Sequence, residues 1–155
     1  MIVPTAALDE LAGRVAMVSG GFDPLHTGHI EYFRAAARLG PPLLCNVSTD
    51  GDVERKHAPL LPQRERAEII DALRLIAYTH LATGTTEEVL RRLRPRTFVK
   101  GADWRDRLPE GELRACTELG IEVVFVDTVI TSSSVVLEQF LERERERASA
   151  LSRSP

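Results

Sequence analysis

The sequence predicts a doubly wound α/β domain, a parallel sheet of about five strands with helices on both faces. Three observations predict it. Short apolar runs of strand length alternate along the chain with longer segments whose apolar residues recur at helical spacing. The segments between successive strands are long enough for crossover helices, which parallel pairing requires. Gly20-Gly21 ends the first strand in a turn that leads directly towards a helix.

In chain order, Pro4–Gly13 is expected as a short capping helix ahead of the domain. Val15–Val18 is a brief apolar strand, stopped by the glycine pair, and Gly28–Leu39 is the first helix. Leu43–Ser48 forms the second strand. Asp50 to Gln63 is a long charged loop interrupted by Pro59 and Pro62, and Gln63–Ile76 is the helix after it. A weaker strand near Thr79–Ala82 precedes the helix Thr86–Leu93. Thr97–Val99 supplies another strand, Glu110–Leu119 a helix, and Glu122–Val126 the last strand. Ser132, Ser133 and Ser134 precede Val135-Val136-Leu137-Glu138, where the final helix begins. Glu142 to Arg147 continues that helix with alternating charge, weakly supported by pairs such as Glu142–Arg145, and Ser149–Pro155 is a frayed tail. The division is thus an extension over 1–14, a domain over 15–141 and a charged helix end with tail over 142–155.

Composition narrows the class of protein. A chain of 155 residues accommodates one domain with one sizeable core. Its 43% hydrophobic and 28% charged content is that of an ordinary folded protein, which argues against disorder. Apolar runs fall short of a membrane span and the N-terminus lacks a leader pattern, so the expectation is no membrane partner and a cytoplasmic location. A net charge of −3 argues against generic nucleic-acid binding and confines any phosphate site to a local pocket. Cys45 and Cys116 have no metal-ligand spacing and are expected as reduced, buried thiols.

Chemistry concentrates in the run Val18-Ser19-Gly20-Gly21-Phe22-Asp23-Pro24-Leu25-His26-Thr27-Gly28-His29. His26 and His29 stand at a strand-to-helix junction, three residues apart, hence on nearly one side of a helical turn. The first turn of a helix presents unpaired N–H groups and partial positive charge, which attract phosphate. Gly20 and Gly21 let backbone approach such a group, Phe22 packs under the turn, and Asp23 orients the loop by accepting backbone hydrogen bonds. A metal pair is the competing reading of the histidines. No third ligand stands at suitable spacing, so no protein metal ligand is assigned.

The H-x-G-H run after G-x-F-D resembles the nucleotidyltransferases that include glycerol-3-phosphate cytidylyltransferase and heptose-1-phosphate adenylyltransferase. The likeness extends from about Val15 to Leu141 and rests on further segments in the family's order: Val47-Ser48-Thr49-Asp50, Lys56, Arg66, Lys100-Gly101-Ala102-Asp103-Trp104 and Thr131-Ser132-Ser133-Ser134. The resemblance implies a Rossmann-like fold and catalytic roles for His26, His29, Lys56 and Ser133. It implies nucleotide-binding roles for Gly20, Gly21, Phe22, Asp23, Gly28, Arg66, Lys100, Gly101, Asp103, Trp104, Thr131, Ser132 and Ser134. Mg2+ carried in with the nucleotide, a nucleoside triphosphate (ATP or CTP), a small phosphorylated or phosphonate acceptor and a homodimer follow from the same likeness.

The implied reaction is attack by an acceptor phosphate oxygen on the α-phosphorus of the triphosphate, with pyrophosphate leaving. Such transfers depend on alignment and charge neutralisation, for which histidines, lysines and hydroxyls suffice. Lys100 and the apolar Val135 and Leu137 after the serine run tilt the expectation towards adenylyl transfer to a heptose-type sugar 1-phosphate. Cytidylyl transfer to glycerol 3-phosphate, another polyol phosphate or a phosphonate is the alternative, and a non-catalytic nucleotide-binding module is the reading from another class.

Overall fold

The structure, a computed structural model, describes residues 1–127 and 133–151. Its strands are β1 (Ile2–Val3), β2 (Ala16–Gly20), β3 (Leu43–Val47), β4 (Tyr78–Leu81), β5 (Thr97–Gly101) and β6 (Glu122–Val126). They form one all-parallel sheet in the order β1-β4-β3-β2-β5-β6. The helices are α1 (Thr27–Ala37), α2 (Asp50–Glu54), α3 (Gln63–Asp71), α4 (Thr86–Leu93), α5 (Glu110–Leu119) and α6 (Ser133–Leu151). Short 3-10 turns cover Thr5–Leu11 and Ala102–Trp104.

Alternation along the buried strands directs side chains to two cores. On one face Ala16, Val18, Cys45, Val47 and Val99 meet Tyr32, Phe33 and Ala36 of α1 and Ala67 and Ile70 of α3. On the other, Met17, Leu44 and Phe98 meet Val89, Leu90 and Leu93 of α4 and Ala115 and Cys116 of α5. Helices therefore flank both faces, as a doubly wound sheet requires. Cys45 and Cys116 are buried and free. No helix among the described residues is long and apolar enough to cross a membrane.

Three expectations need correction. The sheet has six strands, because Ile2 and Val3 pair with Thr79 and His80 along its edge. Two residues carry no detectable period, so this strand leaves no mark in the sequence. Residues 1–14 accordingly join the sheet and core, and Leu8 is fully buried. The helix expected over Gln63–Ile76 ends at Asp71 and gives way to turns, Leu73 N–H donating to Ile70 O and Ile76 N–H to Leu73 O. Leu73, Leu75 and Ile76 still pack on the core, so their spacing reflects burial without helix. The loop after β3 opens with α2, capped by Thr49 Oγ1, which accepts from Asp52 N–H at 3.1 Å. At the far end, α6 runs through the charged segment with a Glu144–Arg147 pair at 3.6 Å.

Candidate active site

From β2 the chain winds outward through β3 and β4, then returns to lay β5 against the opposite side of β2. Loops leaving the carboxyl ends of β2 and β5 thus diverge and open a crevice at this switch point. The glycine-histidine run leaves β2 there, and Lys100 to Trp104 leave β5.

His26 caps α1. Its backbone is extended, and Nδ1 accepts from Gly28 N–H at 3.1 Å. That bond places the proton of the neutral ring on Nε2. His26 Nε2 is buried and without a partner, as is His29 Nδ1. The two rings stack with centroids 3.8 Å apart, and Phe22 meets His29 edge-on at 5.0 Å. Phe22 also packs on Phe33, so it supports the turn from below. His26 Nε2–H is thus a buried donor without a partner at a helix N-terminus, a place where phosphate oxygens can accept from it.

The turn itself has little free space. A Cβ on Gly20 would meet the Phe22 ring at 3.0 Å, and one on Gly21 would meet Val53 Cγ2 at 3.0 Å. Asp23, 2% exposed, accepts from Leu60 N–H at 2.7 Å and Leu61 N–H at 3.2 Å, the orienting role expected of it. Arg66 departs from expectation. Its side chain is fully buried and donates to Leu61 O, Gly21 O, Ser48 O and Asp50 Oδ1. Four of its five N–H donors are engaged within the protein. Arg66 in this structure is a positioning residue joining three loops, not a cation presented to nucleotide.

Lys100, 6% exposed, lies at the end of β5 with Nζ 4.1 Å from the Trp104 ring centroid and 3.5 Å from Ser19 Oγ. Lys56 reaches the same ring from the loop after α2, with Nζ 5.7 Å from the centroid. Trp104 thus gathers two ammonium groups that are 44 positions apart in sequence. Burial lowers the Lys100 pKa, and Lys56 adds to this, while Glu112 and Asp103 oppose it. A Cβ on Gly101 would stand 2.5 Å from Asp103 Oδ1, so a side chain there would displace the Asp103 carboxylate. Asp103 itself is paired with Arg107 at 3.3 Å. Ser133, the first residue of α6, donates to Pro24 O at 3.1 Å and so ties that helix to the histidine loop. Ser134 is exposed beside it, whereas Thr131 and Ser132 lie outside the described residues. Glu112, which sequence reasoning passed over, stands in the first turn of α5 with Oε2 buried and unpartnered.

Deeper in the sheet, Thr5 Oγ1 lies 3.0 Å from His80 Nε2, and His80 Nδ1 lies 2.7 Å from Asn46 Oδ1. His80 is 1% exposed, and burial, then the Arg92 charge, lowers its pKa to about 4. Burial, then His26, lowers His29 to about 3. Both groups titrate lower when folded than when unfolded. As pH falls below about 6.5 the unfolded chain binds protons that the native state refuses. Stability is therefore complete above about pH 6.5 and declines towards pH 3 to 4, by up to about 1.4 kcal/mol per pH unit for each histidine. Urea midpoints at pH 7.5 and 5.0 check this; an equal or higher midpoint at pH 5.0 contradicts it.

The cytidylyltransferase-like family model matches residues 17–147, which takes in the histidine loop, Lys56, Arg66, Lys100 to Trp104 and Ser133. A D-beta-D-heptose 1-phosphate adenylyltransferase from Bordetella bronchiseptica is 36% identical over 118 residues, 72% of this chain and 73% of that protein. The bifunctional protein HldE of Trichlorobacter lovleyi is 35% identical over 147 residues, 88% of this chain; the match spans only 29% of that longer protein. Among solved structures, a lipopolysaccharide core biosynthesis protein from Thermoplasma volcanium GSS1 superposes with a TM-score of 0.62 at 26% identity, covering 76% of this chain and 98% of that one. A histidine pair at the switch point of a parallel sheet and a family match across that region agree: the chain belongs to the cytidylyltransferase-like family and is a nucleotidyltransferase.

Proposed function

We propose that this chain transfers the adenylyl group of ATP to the phosphate of a heptose-type sugar 1-phosphate and releases pyrophosphate. An acceptor phosphate oxygen forms the new bond to the α-phosphorus as the bond to the pyrophosphate oxygen breaks. The observation that carries the reading is the placement of the His26–His29 stack after β2 and of Lys100 and Trp104 after β5, on the two loops that flank the crevice, with Lys56 reaching Trp104 from the loop after α2. One set offers neutral donors at a helix N-terminus, the other offers cations. Together they suit the dispersed negative charge of a phosphoryl-type transition state. The adenylyltransferase name of a relative 36% identical to this chain supports the choice of nucleotide and acceptor.

Among the described residues no three His, Cys, Asp or Glu side chains converge on a metal position. In this reading Mg2+ is held chiefly by triphosphate oxygens, with His26, His29 and Lys100 contacting the phosphates around it. When bound, the ion neutralises phosphate charge. Thr131, Ser132 and Ser134 belong to the proposed nucleotide contacts, and a homodimer belongs to the same reading, to be checked by sedimentation velocity.

The test is pyrophosphate release with Mg2+ and each of ATP, CTP, GTP and UTP, against sugar 1-phosphates, polyol phosphates and phosphonates. Release with ATP and a heptose 1-phosphate is expected. Release only with CTP and a polyol phosphate or phosphonate moves the chain to the cytidylyl branch. Nucleotide binding with no release for any acceptor overturns the catalytic reading.

A further inference from the structure

We infer that the end of the sheet remote from the crevice carries a second site, which binds a small organic phosphate through Arg14 and Arg96. An open cavity of about 430 Å³ lies there, lined by Gly13, Arg14, Leu39, Gly40, Pro41 and Arg96. Three neighbouring strands begin at its floor. Arg96 N–H donates to Val15 O at 2.9 Å, continuing the β2–β5 pairing, and Ala16 N–H donates to Pro42 O at 3.0 Å, which brings the α1–β3 connection alongside. The histidine loop and Lys100 stand at the opposite ends of β2 and β5, each a strand of 5 residues at about 3.3 Å per residue.

Hydrogen bonding in the cavity leaves donors for an anion. The backbone N–H groups of its lining are committed: Gly13 to Arg94 O, Arg14 to Leu11 O, Leu39 to Ala36 O, Gly40 to Ala37 O and Arg96 to Val15 O. The two guanidinium groups are not, since among the described residues neither forms an ion pair or a side-chain hydrogen bond. Elsewhere exposed arginines find carboxylates, Arg91 with Glu87 and Glu118, Arg92 with Asp9 and Arg107 with Asp103. No residue lining the cavity is acidic. Each guanidinium offers a planar fork of N–H donors that matches two phosphate oxygens at a time. Two such forks in one cavity suit a dianion, and a phosphate monoester at neutral pH carries close to that charge. Leu39, 40% exposed, and Pro41 give the cavity an apolar side, so the carbon body of the ester has a surface to cover while its phosphate faces the arginines. Gly13 and Gly40 turn with φ of +70° and +100°, and a Cβ on either would meet nothing within 4 Å, so neither turn obstructs the cavity.

NMR titration read at the Gly13 and Gly40 amides tests this, with glucose 1-phosphate, AMP and inorganic phosphate as probes and sodium chloride at matched ionic strength as the control. For the wild type, at least one of the two esters is expected to give saturable shifts at both amides, with inorganic phosphate binding about tenfold more weakly. Replacing both arginines, Arg14→Gln with Arg96→Gln, is expected to weaken that ester about tenfold to 100-fold. Arg14→Lys with Arg96→Lys recovers only part of the loss, because an ammonium does not reproduce the fork. Both positions are exposed and unpartnered among the described residues, so these variants keep the fold. His29→Ala leaves the shifts unchanged, which separates this site from the crevice and from the reaction proposed there. Shifts matched by chloride, or none that saturate with either ester, overturn the inference, as does full ester affinity in the double Gln variant. Inorganic phosphate binding as tightly as both esters overturns the role given to Leu39 and Pro41.

Discussion

Arg66→Ala is expected to lower stability by about 3 to 5 kcal/mol, because it removes a buried cation from a network that has no other donor to replace it. Its guanidinium satisfies Leu61 O, Gly21 O and Ser48 O and pairs with Asp50 at 2.6 Å. The variant leaves those carbonyls to find water in a buried place. For a domain of this size the loss corresponds to a melting temperature lower by about 10 °C. Arg66→Lys does not rescue it, since one ammonium cannot span acceptors arranged for a planar fork. Asp50→Asn is milder, because Asp50 is 44% exposed and water replaces part of what it gives. Denaturation midpoints of the three variants check the order; an Arg66→Ala midpoint equal to that of the wild type removes Arg66 from the role assigned here. Turnover falls with stability, because the loops that hold the glycines and Asp23 lose their common tie.

His29→Ala is expected to have the opposite profile, a nearly intact fold with turnover about 100-fold to 1,000-fold lower. Its ring stacks on His26 and meets Phe22 edge-on, but its Nδ1 makes no bond within the protein that folding would lose. In the proposed role, what the substitution removes is a ring nitrogen that meets charge developing during transfer. Because burial holds the free-enzyme pKa to about 3, the ring is neutral at physiological pH, and its contribution is a hydrogen bond and not a full charge. Turnover should therefore fall far more than nucleotide affinity. Single-turnover rates with saturating nucleotide make the distinction; a rate within a few-fold of the wild type refutes the role.

Much of this was legible in the sequence, and the limits have physical causes. Glu122–Val126, Thr86–Leu93 and Glu110–Leu119 lie where periodicity puts them, because their patterns answer to the same buried sheet faces. Ile2–Val3 is too short to show a period, and its place depends on pairing with β4. The histidine loop was legible because turn chemistry is local: glycines, an acidic residue and a helix start occur in one run. Arg66 misled because a cation near a helix start looks the same whether it faces solvent or backbone carbonyls, two of which, Gly21 O and Ser48 O, come from distant segments. Glu112 gave no signal, flanked as it is by exposed Leu113 and Arg114.

The loop between α2 and α3 has a consequence for how such a protein can change. Asp23 and Arg66 fasten its later end to the histidine turn, and Thr49 and Asp50 fasten its beginning. Between those fastenings, Glu54, Arg55, Lys56 and Ala58 are exposed. Lys56 apart, sequence drift in that stretch is decoupled from the geometry of the phosphate site. A lineage can try new acceptors there by substitution or insertion while the reaction itself is inherited unchanged, and a designer grafting a loop from another branch should keep Asp23, His26, His29, Asp50, Lys56 and Arg66 and exchange only the exposed positions around Lys56.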